Sequence, residues 1–125
     1  MRAFRIGEKP TRGEGLRIGA TRYPPRGVPR NRWKKDHYFD VWFPLVAPSE
    51  KLLRSIKKTG IEDPRIRKRF FDAYRRELKH PPASHALALL AALAATTRIA
   101  VGCFCVDETR CHRSVLRDEV SRAMS

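Results

Sequence analysis

The stretch Ile99 to Leu116 (IAVGCFCVDETRCHRSVL) decides the fold. Ile99 to Phe104 is short and apolar, the signature of a buried strand. Val106 to Arg110 reads as a tight polar loop. Cys111-His112-Arg113 then opens a helix in which Val115, Leu116 and Val120 share one face. A strand that feeds a helix through a short loop is the repeating unit of α/β proteins. The helix start presents free backbone N–H groups and the positive end of its dipole to whatever lies in the loop. All three cysteines of the chain, Cys103, Cys105 and Cys111, fall inside this stretch.

Outward from it, the same logic orders the rest. Met1 to Ile6 and Leu16 to Tyr23 read as two earlier strands, the second alternating Leu16, Ile18 and Ala20 against Arg17, Gly19 and Thr21. Arg22 to Trp33 (RYPPRGVPRNRW) carries three prolines, a glycine and four arginines, so it predicts a stiff basic loop. Phe39 to Val46 predicts an irregular or edge strand, because Pro44 cannot donate to a ladder. Ser49 and Asp63-Pro64 are helix starts, with Gly60 ending the first helix. Ile66, Phe70, Phe71, Tyr74 and Leu78 form the apolar stripe of the second. A third helix, Ser84 to Ala95 with Ser84 as cap, is apolar nearly all round, which predicts burial on more than one side. The expected architecture is a single α/β domain over residues 1–125, with a small, mostly parallel sheet flanked by helices.

A chain of 125 residues supports one core, and 42% hydrophobic content excludes wholesale disorder. The net charge of +14 predicts an anionic or polyanionic partner. The first 35 residues alone carry 8 Arg and 3 Lys against 2 Glu. No apolar run reaches the ~20 residues of a membrane span, and the N-terminus lacks a signal-peptide pattern, so a cytoplasmic location is expected. The odd number of cysteines predicts reduced thiols rather than a disulfide framework.

Four motifs along the chain resemble domain-of-unknown-function family 488 (DUF488), in particular its short YeaO-like branch. Arg22, Pro25, Arg26 and Gly27 match an Arg-x-x-Pro-Arg-Gly motif. Asp40, Trp42, Ala47, Pro48 and Ser49 are similar to an Asp-x-Trp…Leu-Ala-Pro-Ser block. Phe70 or Phe71, Tyr74, Glu77 and Leu78 resemble a helical Phe-x-x-x-Tyr…Glu-Leu pattern. Cys103, Cys111, His112 and Arg113 resemble a closing Cys-x-Glu…Cys-His-Arg motif, with Cys105 standing where the family pattern has an acidic residue. The resemblance implies an α/β fold and a cytosolic protein, and names no reaction.

The candidate chemistry lies in two places. Cys111, His112 and Arg113 at the helix start form a positively surrounded thiol, and such surroundings lower a thiol pKa from ~8.5 toward neutrality. Cys111 and His112 are therefore the expected catalytic pair, with Cys111 more reactive than Cys103. Arg22, Arg26 and Arg113 are the expected anion-binding residues. If the strands preceding the two motifs are parallel neighbours, both loops emerge at one carboxyl edge and build one pocket. A phosphatase-type Cys-x5-Arg loop is absent: four residues separate Cys105 from Arg110, and six separate Cys103 from it. Cys103, Cys105, Cys111 and His112 are four metal-ligand types, but Cys103 and Cys105 alternate along a strand and should diverge. No metal and no cofactor is therefore expected. The reading that follows is an enzyme acting on a phosphate-bearing small molecule or nucleic acid. The alternative is a non-enzymatic basic module that binds nucleic acid.

Overall fold

In the computed structural model, which describes residues 1–105 and 110–124, four short strands form one parallel sheet in the order β1-β4-β2-β3. They are β1 (Arg2–Arg5), β2 (Leu16–Gly19), β3 (Val41–Trp42) and β4 (Ile99–Cys103). β4 comes last in sequence and is inserted between β1 and β2. It pairs Arg5 with Cys103 on one side and Gly19 with Gly102 on the other. All five of its residues are buried, as its unbroken apolar run predicts.

Helices α1 (Glu50–Ser55), α2 (Pro64–Leu78), α3 (Ala83–Thr96) and α4 (His112–Met124) complete the α/β domain. The Ser49 side chain caps α1 by accepting from the Leu52 N–H, and Asp63 caps α2 from the Arg65 N–H. One core joins Ile18, Ile99 and Val101 of the sheet to Tyr74, Leu78, Leu90, Val115, Leu116 and Val120 of the helices. A second, smaller core contains Phe4, Ile6, Phe39 and Ala100, with Trp33 and Tyr38 packed against it. Gly19 and Gly102, paired across β2 and β4, leave room for this second layer. A Cβ on Gly19 would lie 2.2 Å from the Phe39 ring, and one on Gly102 would lie 2.3 Å from the Phe4 ring. Among the described residues no helix is long and apolar enough to cross a membrane.

Several elements differ from their predicted form. β2 stops at Gly19 rather than Tyr23. Its polar residue is not on an open face: Arg17 is 4% exposed while Leu16 is 39% exposed. Glu14 pairs with the Arg17 guanidinium there, and Arg17 also donates to the His37 carbonyl at 2.8 Å and stacks on Phe4 at 4.2 Å. Of Phe39 to Val46, only Val41 and Trp42 are extended, as the edge strand. α1 ends at Ser55, and a turn carries the chain to Gly60, which takes the left-handed φ of +68°. α3 begins at Ala83 with no side-chain cap, so Ser84 does not cap it. It buries only Ala86, Leu90 and Ala91, and Leu89 is 53% exposed, because only one side of it meets the rest of the domain. The predicted loop at 106–109 lies outside the described residues.

Candidate functional site

In an all-parallel sheet every strand delivers its following loop to the same edge. β2 and β4 are hydrogen-bonded neighbours, so the loops after them lie side by side. Residues Thr21 to Arg26 from the first, and Cys103 to Cys105 with Arg110 to His112 from the second, line one cleft of about 390 Å³. The expectation that the two motifs meet at one carboxyl edge therefore holds. The far wall comes from Pro48, Leu53, Ile56, Ile61 and Phe70, so most of the lining is apolar.

Three partly buried bonds to carbonyls shape the cleft mouth. Arg22 donates through Nε to the Pro48 carbonyl at 3.0 Å and through Nη2 to the Ala47 carbonyl at 2.9 Å. The Trp42 indole N–H donates to the Thr21 carbonyl at 2.9 Å. These bonds fix the exit of β2 against the segment that leads into α1. Arg113 is 4% exposed, and its Nη1 donates to the carbonyls of Cys103 at 3.2 Å and Cys105 at 2.6 Å. Arg22 and Arg113, both expected to bind an anion, are thus engaged as braces of the two loops. Arg26 is exposed on the rim. Arg110, also at the rim, pairs with Glu62.

The bonds from Arg113 explain the sharpest departure from the sequence reading. β4 ends at Cys103, so Cys105 is not a strand residue and the alternation rule no longer applies to it. The chain bends at Phe104, and the Cys103 and Cys105 sulfurs lie 3.7 Å apart instead of diverging. Cys111 is also placed differently from expectation. It is 1% exposed, packed inward at the start of α4, while Cys105 is the exposed thiol.

His112 is 8% exposed. Its Nε2 donates to the Ala20 carbonyl at 2.7 Å, and since a carbonyl only accepts, the proton sits on Nε2. Nδ1 is left as the bare nitrogen, 3.9 Å from both the Cys103 and Cys111 sulfurs. Burial lowers the His112 pKa and keeps the ring neutral. Tyr74 stands edge-on to it, with ring centroids 5.6 Å apart. The Tyr74 hydroxyl donates to the Val46 carbonyl, and burial raises its pKa. Cys103 is pulled down to about 3 because the Cys105 and Cys111 thiols donate to its sulfur. The Cys105 and Cys111 thiols are raised, chiefly because each donates to the Cys103 sulfur.

Sequence reasoning missed three contributors. Tyr74 reads as one more member of a core stripe, and its place against His112 is a tertiary fact. The Ala20 carbonyl that orients His112 comes from a residue 92 positions away. Strand alternation points Cys105 away from Cys103, and the bend that brings them together is held by Arg113, eight residues on.

Residues 1–123 match the family model DUF488-N3a, described as "Active DUF488-N3 subclade". No curated protein and no solved structure matches the chain.

Proposed function

The chain belongs to the DUF488-N3a family, and from that premise we propose that it is an enzyme acting on a small phosphate-bearing molecule, a nucleotide by preference. The observation that carries this reading is the single cleft shared by the Arg22–Gly27 loop and the Cys-His cluster. Its volume of about 390 Å³ is within the ~300–1,000 Å³ of small-molecule sites. Its apolar walls suit a flat ring, and two exposed aromatics, Tyr23 at 57% and Phe104 at 46%, stand at the lining. Arg26 at the rim suits the anionic end of the same molecule. Cys105, Cys111 and His112 supply the reactive groups within reach of it. The description of the matching family as active agrees with an enzymatic role. An acid–base step through His112 would use the bare Nδ1 as proton acceptor.

The second reading, a basic module for nucleic acid, rests on the net charge of +14 and on exposed cations such as Lys57, Lys58, Arg65, Lys68 and Arg69. One calorimetric series separates the two. Nucleoside monophosphates should bind more tightly than the bare nucleosides, and Arg26→Ala should weaken only the phosphates, by about tenfold. Equal affinity for both, with tight and salt-steep binding of a short DNA duplex, would replace the first reading with the second.

A further inference from the structure

We propose that Cys103, Cys111 and His112 form a binding site for one soft divalent cation of the zinc class, with its fourth position open to the cleft. The site rests on geometry and not on the substrate reading above, and an ion held there would take the His112 Nδ1 lone pair and the Cys111 sulfur, leaving Cys105 as the reactive group on the cleft. Zinc bound by thiolate at ~2.3 Å and imidazole at ~2.0–2.1 Å in a tetrahedron sets its ligands about 3.5–3.8 Å apart. The Cys103 Sγ to His112 Nδ1 and Cys111 Sγ to His112 Nδ1 separations are both 3.9 Å, and all three ligand atoms lie within 4.8 Å of one another. Those distances are long for a bond that a thiol makes to nitrogen on its own, and close to the edges of a filled coordination shell.

The ligand chemistry agrees. His112 keeps its proton on Nε2, bonded to the Ala20 carbonyl, so Nδ1 faces the sulfurs with its lone pair free. Fixing the tautomer through the other ring nitrogen is how protein metal sites orient a histidine ligand. Thiolates and imidazole select zinc over calcium or magnesium. The three residues are 7%, 1% and 8% exposed, so the cation would be shielded by the sheet on one side. The first turn of α4 begins at His112, and Arg113 holds the Cys103 and Cys105 carbonyls, so the ligands are set on rigid elements. Cys105, exposed and 3.7 Å from Cys103, flanks the open position without being needed to hold the ion.

The test uses the full chain, expressed with zinc in the medium and purified without chelators. Elemental analysis should find one zinc per chain. Replacement by cobalt(II) should give the near-ultraviolet band of thiolate-to-metal charge transfer and the visible bands of tetrahedral cobalt. Cys111→Ser and His112→Gln should each cut metal content at least tenfold, and Cys105→Ser should keep it at one. Since a ligand variant can simply misfold, the wild-type chain provides the deciding case. Wild-type protein with native circular dichroism that retains no zinc and gives no cobalt bands at equimolar metal would overturn the site. Loss of metal in Cys105→Ser would overturn the open fourth position.

Discussion

Two buried polar clusters sit on opposite sides of this small sheet, and they are built on opposite terms. On the side of the second core, Arg17 and Glu14 are both nearly sealed from water, yet their bonding is complete. Glu14 takes bonds from Arg17 and from both Thr11 donors, and Arg17 spends its remaining reach on the His37 carbonyl and the Phe4 ring. At the carboxyl edge, the Cys103 sulfur lies 3.7 Å from that of Cys105 and 3.9 Å from the His112 Nδ1, which is also 3.9 Å from the Cys111 sulfur. A neutral thiol is a weak donor and a weak acceptor, and these contacts run between groups that are nucleophiles or metal ligands. A polar cluster with every group strongly bonded holds a fold together. A cluster of nucleophilic and ligating atoms in loose mutual contact, at the floor of a cleft, is placed for something that comes from outside.

The largest expected effect breaks the first cluster. Arg17→Met leaves the Glu14 carboxylate buried without its cation and should cost about 3–5 kcal/mol in a denaturant titration. Nucleotide binding in the cleft should persist in whatever fraction remains folded. The same pair has a pH signature. Burial pushes the Glu14 carboxyl up, and the bonds from Arg17 and Thr11 outweigh burial and hold it below its ordinary value. A depressed folded pKa adds stability that is fully present above the unfolded value, ~4.3, and is lost as pH falls through the folded one. The acid limb of the wild-type stability curve should therefore flatten in Arg17→Met.

A smaller effect tests whether the second core is as closely packed as its glycines imply. Gly102→Ala puts a methyl group 2.3 Å from the Phe4 ring, with Gly19 beside it in the neighbouring strand. Melting followed by circular dichroism should show a loss of about 1–3 kcal/mol. A neutral result would mean that the aromatic layer shifts freely on the sheet.

These two clusters also mark where the sequence was legible. The order of strands and helices, the edge strand broken by Pro44, and the caps at Ser49 and Asp63 follow from local pattern and local chemistry. So does the meeting of the two motifs, because a parallel sheet has only one carboxyl edge. What escaped was decided by partners distant in sequence. Arg17 looks like an outward strand residue until Trp33, Tyr38 and Phe39 return to cover its face. Alternation sends Cys103 and Cys105 apart, but alternation is a property of extended backbone, and the strand ends at Cys103, two residues before Cys105. The all-round apolar surface of α3 predicts burial on several sides, yet Leu89 stays 53% exposed.

The most direct test of the cleft as the functional centre is alkylation of the wild-type protein by iodoacetamide, followed peptide by peptide with and without a nucleoside monophosphate. The geometry predicts that Cys105 reacts first, ahead of the buried Cys103 and Cys111, and that nucleotide slows its labelling several-fold. Labelling of Cys105 that is unchanged at saturating nucleotide, or labelling in which Cys111 leads, would contradict it.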